Sequence, residues 1–148
     1  MKKLIAVALL FSCLLAVAQE KKLPQKIVTA LENKYQEAEI ENWVLVGDMY
    51  YLDFNLISKS YKSIFDSEGI WIETAENISE LDIPVELANF ISENFEAGIV
   101  PYCEKVETPE HQFIRVSLYN SDKFFVLQCE DDGSNIKIIL EDPLTDID

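Results

Sequence analysis

The sequence has little positive charge and a single histidine. Its 148 residues include 12 Lys and Arg against 27 Asp and Glu, which gives a net charge of −15. Because nucleic acids and anionic lipids attract clustered Lys and Arg, this composition disfavours both as partners. A nucleophilic triad or a histidine-based zinc site needs more than His111 alone. We therefore predict that the chain is not an enzyme and has no resident cofactor.

Glycine and proline are also scarce, with 4 and 5 residues, whereas 49% of the residues are hydrophobic. An apolar fraction of this size can fill a core, which excludes a wholly disordered chain. A chain of this length forms one ordinary domain or two small ones. The composition thus indicates a globular protein and leaves its architecture to the pattern of the residues.

The only long apolar run lies at the N-terminus. Two lysines precede residues 4–15, a run too short to span a bilayer, and a small-x-small pattern ends at Ala18. We predict that residues 1–18 are a bacterial signal peptide, cleaved between Ala18 and Gln19. The mature chain is then expected to have no transmembrane segment and to be periplasmic or secreted.

Cys13 leaves an alternative open. The residues before it are similar to the lipobox of bacterial lipoproteins, in which the cysteine carries the lipid. Phe11 fits that motif poorly, and lipid attachment at Cys13 would leave apolar residues 14–17 behind the anchor. We therefore favour cleavage after Ala18 over a lipoprotein.

The remaining chain repeats its pattern at an offset of about 60 residues. Each copy opens with a Leu-Pro or Ile-Pro pair, continues with apolar residues at helical spacing, and then alternates apolar and polar residues as a strand does. We predict an α+β fold of two tandem repeats, at about 23–75 and 83–141, each a helix followed by a short antiparallel β-meander. The two are expected to pack as one body with an acidic tail. The helical residues are Ile27, Leu31 and Tyr35 in the first copy and Leu87, Ile91 and Phe95 in the second.

Three short segments predict the hairpin turns of these meanders. Gly47-Asp48 separates two apolar runs, and the acidic segments 66–69 and 130–133 each end in glycine. Glycine is the residue that most readily adopts the positive φ such turns require. The strands that close each meander are then expected at residues 70–72 and 136–139.

These motifs resemble a known family. The Leu-Pro helix start, the aromatic residue at the helix end, the Tyr-x-Asp-Phe strand at 51–54 and the Phe-Asp-x-x-Gly-x-Trp turn at 65–71 are similar to the PepSY-like domain. That secreted family of Bacteroidetes is also described as beta-lactamase-inhibitor-like. The second copy departs from it, with Cys129-Glu130 in place of Phe-Asp and Asn135 in place of Trp. The resemblance implies that residues 19–148 form one such α+β domain.

The resemblance also implies a function. It suggests a noncatalytic binding module, an inhibitor of or adaptor for a protein or peptide in the cell envelope. No catalytic residues of the family exist to be carried over, so the candidate site must come from the residues of this chain.

Four residues are predicted to point away from the helices on the strands. Tyr51, Asp53, Phe113 and Arg115 alternate with the apolar residues expected to face the core. Aromatic residues and arginine are typical of protein interfaces, so these four are the candidate partner-binding residues. Packing against the other repeat is an equally good explanation for them.

The acidic turns provide an alternative function. Asp66, Glu68, Asp131 and Asp132 could offer oxygen ligands to calcium and make the protein calcium-responsive. Neither turn has the spacing of an EF-hand, and solvated turns of this composition are common. Calcium is accordingly the one metal that the sequence suggests.

Cys103 and Cys129 are the two cysteines that follow the signal peptide. An oxidising compartment favours a disulfide between them. However, the matching positions of the first copy, Trp43 and Phe65, are apolar, and the cysteines are expected on the first and third strands of a meander. Two strand spacings exceed the Cα separation that a disulfide allows. We favour two buried thiols over the disulfide.

Overall fold

The computed structural model describes residues 22–121 and 123–143. The predicted signal peptide, its cleavage site and the end of the acidic tail lie outside the described residues. Within them the chain forms two α-helices, a 3₁₀ turn and eight β-strands. These are α1 (Gln25–Lys34), β1 (Glu39–Val46), β2 (Met49–Leu56), β3 (Lys59–Asp66), β4 (Trp71–Ile78), the 3₁₀ turn (Glu80–Asp82), α2 (Val85–Asn94), β5 (Ile99–Glu107), β6 (Gln112–Asn120), β7 (Lys123–Cys129) and β8 (Lys137–Pro143).

The prediction of two tandem helix-plus-meander repeats is wrong. All eight strands form one continuous antiparallel sheet in the order β1 to β8, so the fold is mainly β, with ten-residue helices as its only α-helices in the described part of the chain. The join lies between β4 and β5, where Ala75 is paired with Val106 and Ile78 with Cys103. Two separate meanders would each leave these strands as open edges with unpaired backbone groups. Pairing β4 with β5 satisfies them.

Both helices begin where the Pro residues predict. Pro24 and Pro84 are the residues that precede the first helical residues of α1 and α2. A proline lacks the N–H that the first turn of a helix leaves unsatisfied in any case, and its fixed φ suits a helix start. Ile27 and Leu31 of α1 and Leu87 of α2 are fully buried against the sheet.

The helices cover the same face of the sheet. Helix α1 packs against a cluster that includes Leu52 and Phe54, and α2 packs against one that includes Val116 and Leu127. The strand register shows that the two clusters share a face, because directly opposed residues point the same way. One row of opposed residues runs from Leu52 through Ser63 to Thr74. Ile78 is four residues after Thr74 on the same strand, so its side chain points to the same face. The row of Ile78 continues through Cys103 and Val116 to Leu127.

The turns before β4 and β8 lie close to the helix starts. Gly69 and Gly133 have φ of +85° and +83°, as the acidic turn segments predicted. At Gly133 a Cβ atom would lie 2.7 Å from the Cβ of Pro84, closer than real Cβ contacts come. Glycine is therefore needed there both for its backbone conformation and for the approach of the turn to α2.

The structure confirms the preference for two buried thiols. Cys103 and Cys129 are free and lie in the cluster beneath α2. They lie on β5 and β7 with β6 between them, and Cys103 is opposite Val116 whereas Cys129 is opposite Ile114. Burial raises the pKa of each thiol to about 11, and neighbouring carboxylates add to the effect.

Candidate binding surface on the open face of the sheet

The face of the sheet opposite the helices is here called the open face. In the described part of the chain no helix covers it. Tyr51 and Asp53 lie on it because they alternate with Leu52 and Phe54, which face α1. Its other members, read from the strand register, include Asn42, Val44, Val46, Met49, Asn55, Ser60, Lys62, Ile64, Glu73, Ala75, Asn77, Tyr102, Glu104, Val106, Phe113, Arg115, Ser117, Tyr119, Phe124, Val126, Gln128, Lys137, Leu140 and Asp142.

All four predicted partner-binding residues thus point away from the helices, but they differ in accessibility. Tyr51 is 40% exposed, whereas Phe113 is only 7% exposed. Phe113 packs with Ala75 and Val106 in a small cluster on the open face, and the ring of His111 lies 5.4 Å from its ring. Phe113 is therefore a packing residue, and a partner could reach little of it.

Arg115 is held at the centre of the open face by two carboxylates. Its Nε donates to Glu104 at 2.9 Å, and its two terminal nitrogens donate to Glu73 at 2.9 and 3.4 Å. Burial by itself lowers the pKa of Arg115, but the hydrogen bonds and charges of Glu73 and Glu104 outweigh it and raise the pKa above its usual value. The guanidinium is thus committed to bonds within the sheet.

A groove of about 370 Å³ extends across the sheet from β1 to β5. It is lined by residues from five strands, and those on the open face include Asp53, Lys62, Asn77, Tyr102 and Glu104. The ammonium of Lys62 lies 5.6 Å from the centre of the Tyr102 ring, a cation–π contact.

Asp53 is the free carboxylate of the groove. Among the described residues it makes no hydrogen bond and no ion pair, although Lys62 is its cross-strand partner. Of the four predicted residues, Asp53 and Tyr51 are therefore the two whose functional groups are not committed to contacts within the sheet.

An apolar patch borders the groove at the β1–β2 hairpin. Val44 lies directly opposite Tyr51, and Tyr51 lies opposite Ile64, so that their side chains form one row. Val44 and Val46 are 52% and 58% exposed. We call Val44, Val46, Tyr51 and Ile64 the Tyr51 patch. Exposed apolar residues grouped beside polar ones are a common mark of protein interaction sites.

Sequence reasoning missed most of these residues. Val44 and Val46 lie in a continuous apolar run, residues 43–46, in which no alternation shows which side chains are buried. Tyr102 could have been found, because Tyr102, Glu104 and Val106 alternate with Cys103 and Lys105. The missing information for Val44 is its pairing with β2, which sequence pattern alone does not provide.

The predicted calcium ligands are used in contacts within the chain. Asp66 accepts hydrogen bonds from the backbone N–H groups of Glu68 and Ile70, at 2.9 and 2.8 Å. Asp132 likewise accepts from the N–H of Ser134, and this hydrogen bonding lowers its pKa. The other two carboxylates form ion pairs, Glu68 with Lys26 and Asp131 with Lys105. Over residues 22–121 and 123–143, no three potential metal ligands come together.

His111 lies between β5 and β6, and among the described residues its imidazole makes no hydrogen bond and no ion pair. Its backbone carbonyl accepts hydrogen bonds from Thr108, and its ring contacts Phe113.

Among the described helices, none is long and apolar enough to cross a membrane.

Comparison with known proteins shows the fold of this chain. No family model and no curated protein matches the sequence. A solved structure of a DUF2874 family protein from Bacteroides uniformis has a TM-score of 0.68 at 19% identity, over 85% of this chain and 93% of that one. A BLIP-like protein from Bacteroides fragilis has a TM-score of 0.64 at 22% identity, over 86% and 92%. A Bacteroides eggerthii protein provisionally described as periplasmic has a TM-score of 0.67 at 18% identity, over 84% and 91%.

The chain therefore shares the fold of these Bacteroides proteins. The expected likeness to beta-lactamase-inhibitor-like proteins is confirmed for the fold, whereas nothing in the comparisons specifies the PepSY-like family. At these identities the shared fold does not determine a shared function.

Proposed function

We propose that this chain is a noncatalytic binding module of the bacterial envelope that binds a protein or peptide through its open face. One observation carries the proposal: a sheet face without a covering helix, in the described part of the chain, combines the exposed Tyr51 patch with the groove that contains Asp53. An aromatic residue surrounded by aliphatic ones provides the contact area of an interface, and nearby polar groups provide its specificity.

Charge supports a partner with a basic surface. The chain has a net charge of −15, and the groove carries the unpaired carboxylate of Asp53. Complementary potentials speed the encounter of two proteins and suppress wrong partners. A basic patch on the partner would meet the acidic field of this chain.

The inhibitor or adaptor role rests on the shared fold. The neighbour from Bacteroides fragilis is described as BLIP-like. An inhibitor needs a rigid surface that does not rearrange on binding, because rigidity reduces the entropy lost in the complex. The open face lies on a sheet whose eight strands are all hydrogen-bonded to their neighbours, which is a surface of this kind.

The periplasmic or secreted location rests on the N-terminal residues. A signal peptide at 1–18 would deliver a mature chain that starts at Gln19 to the envelope. Among the described residues, the first element is α1, which begins at Gln25 and therefore follows the predicted cleavage site.

The test is capture of a partner by the immobilised mature chain. Envelope extract of the source organism is passed over it at about 0.15 M salt and eluted at about 1 M, where exposed charges are screened. We expect one saturable partner whose retention falls at least about tenfold with Tyr51→Ala. Truncation of a central aromatic residue of an interface often costs about 2 kcal/mol or more of binding free energy, and about 1.4 kcal/mol corresponds to a tenfold change in Kd.

The matched control is Leu81→Ala. Leu81 is 93% exposed on the 3₁₀ turn, away from the open face, so its truncation should leave retention unchanged. Equal retention by wild type and Tyr51→Ala would contradict the open face as the binding surface. Turnover of any substrate that a single side-chain change abolishes would contradict the noncatalytic role.

A further inference from the structure

Strand β8 is an open edge of the sheet with three consecutive exposed aliphatic residues. All seven of its residues are exposed, and within the described residues β7 is its only neighbour. Ile138, Ile139 and Leu140 are 48%, 49% and 45% exposed. An edge strand with consecutive exposed aliphatic residues is a template for pairing with another strand. Pro143, which has no N–H to donate to such a pair, is the last residue of β8.

A bulge in β8 places two opposite charges on one face. Lys137 lies opposite Gln128 of β7 and Asp142 lies opposite Phe124, with a register shift between them. Gln128 and Phe124 are four residues apart on β7 and therefore point to the same face. Lys137 and Asp142 are five residues apart and would point to opposite faces in a regular strand, but the bulge puts both on the open face.

Neither charge has a partner within the described part of the chain. Lys137 and Asp142 make no hydrogen bond and no ion pair there, in contrast to Glu141, which pairs with Lys123 of β7 at 2.7 Å. Two unpaired, opposite charges thus flank the apolar residues of an open edge.

We propose that β8 pairs with β8 of a second copy of this chain. A two-fold axis perpendicular to the sheet, between Ile139 and Leu140, makes the two strands antiparallel and keeps both open faces on the same side. Lys137 of each copy then lies opposite Asp142 of the other, which forms two cross-strand ion pairs. Ile139 lies opposite Leu140 of the second copy, also twice, at the centre.

The other edge of the sheet does not have this property. Strand β1 carries Glu39 and Glu41 but no Lys or Arg, so pairing with its own copy would bring like charges together. Charge complementarity therefore selects the β8 edge and a symmetric dimer. The paired sheets would present two Tyr51 patches on one side.

The test is sedimentation velocity of the mature chain from about 10 μM to about 1 mM, the range in which a small interface is expected to associate. A salt concentration of about 0.15 M screens the repulsion between two acidic chains. We expect the mass to rise from one chain to two. Leu140→Lys should keep the mass at one chain, whereas Val85→Lys, at an exposed aliphatic residue of α2, should behave as wild type.

A charge exchange tests the register. Lys137→Asp and Asp142→Lys should each weaken the dimer by at least about tenfold, because each replaces two attractive pairs with two repulsive ones. The double variant restores opposite charges and should restore the dimer. A single-chain mass at every concentration, a mass beyond two chains, a dimer that survives Leu140→Lys, or a double variant that stays monomeric would each overturn the proposal.

Discussion

Replacement of Arg115 distinguishes a residue that binds a partner from one that holds the sheet together. Arg115→Met removes the guanidinium and keeps a similar apolar stem. The change eliminates charge-assisted bonds to Glu73 and Glu104 at 2.9 Å each and a longer one to Glu73 at 3.4 Å. It also leaves two carboxylates close together without their counter-ion.

The expected cost lies between two known limits. Exposed ion pairs contribute about 0.2–1 kcal/mol, whereas removal of one partner from a fully buried pair costs about 3–5 kcal/mol. The side chains of Arg115, Glu73 and Glu104 are 24%, 17% and 18% exposed, which is closer to the buried limit. We expect Arg115→Met to lower the free energy of unfolding by about 2–4 kcal/mol.

Urea unfolding, followed by the fluorescence of the two tryptophans, measures this loss. The triple variant with Glu73→Gln and Glu104→Gln is the control, because it removes the stranded carboxylates and should recover at least half of the loss. A cost of less than about 0.5 kcal/mol, as for an ordinary surface substitution, would refute the structural role and return Arg115 to the candidate binding residues.

Three further predictions concern the thiols, a tyrosine and the acidic turns. Burial raises the pKa of Cys103 and Cys129 to about 11, so few thiolates are present at pH 8 in the folded chain. We therefore expect both cysteines to resist iodoacetamide in the folded chain and to react with it in urea. Labelling of either cysteine in the folded chain would contradict this. Burial raises the pKa of Tyr35 from 10.0 to about 12, so one of the six tyrosines should ionise late at 295 nm. The free energy of unfolding should then fall as the pH rises from about 10 to about 12, because the Tyr35 hydroxyl loses its proton at a lower pH in the unfolded chain than in the folded one. A single transition of all six tyrosines near pH 10 would contradict the late ionisation of Tyr35. Calcium binding by the acidic turns would raise the melting temperature in about 1 mM calcium relative to a chelator, and equal temperatures would eliminate this alternative function.

Much of the local structure was predictable. Pro24 and Pro84 mark helix starts, and Gly69 and Gly133 mark the turns that need positive φ. These features depend on residues close together in the chain, so the sequence contains the information directly. The alternation in β2 likewise predicted that Tyr51 would point away from α1.

The accessibility of the candidate residues was not predictable. Tyr51 and Phe113 have the same alternating pattern, yet one is exposed and the other is buried against Ala75 and Val106. Burial of Phe113 depends on the pairing of β5 with both β6 and β4, and the pairing of β4 with β5 is a long-range contact. The position of Phe113 within the sheet decides its burial, and alternation reveals only its face.

The sequence by itself determined the short-range elements of this protein: where the helices begin, where the hairpins turn and which residues of a strand share a face. The tertiary structure alone decided that β4 pairs with β5 to make one sheet, that Arg115 meets Glu73 across that join, and that a bulge brings Lys137 and Asp142 to one face. The physical reason is that strand pairing is a contact between distant segments whose register depends on the packing of both faces. A shift of one residue in that register reverses every side chain, and no local pattern of residues specifies it.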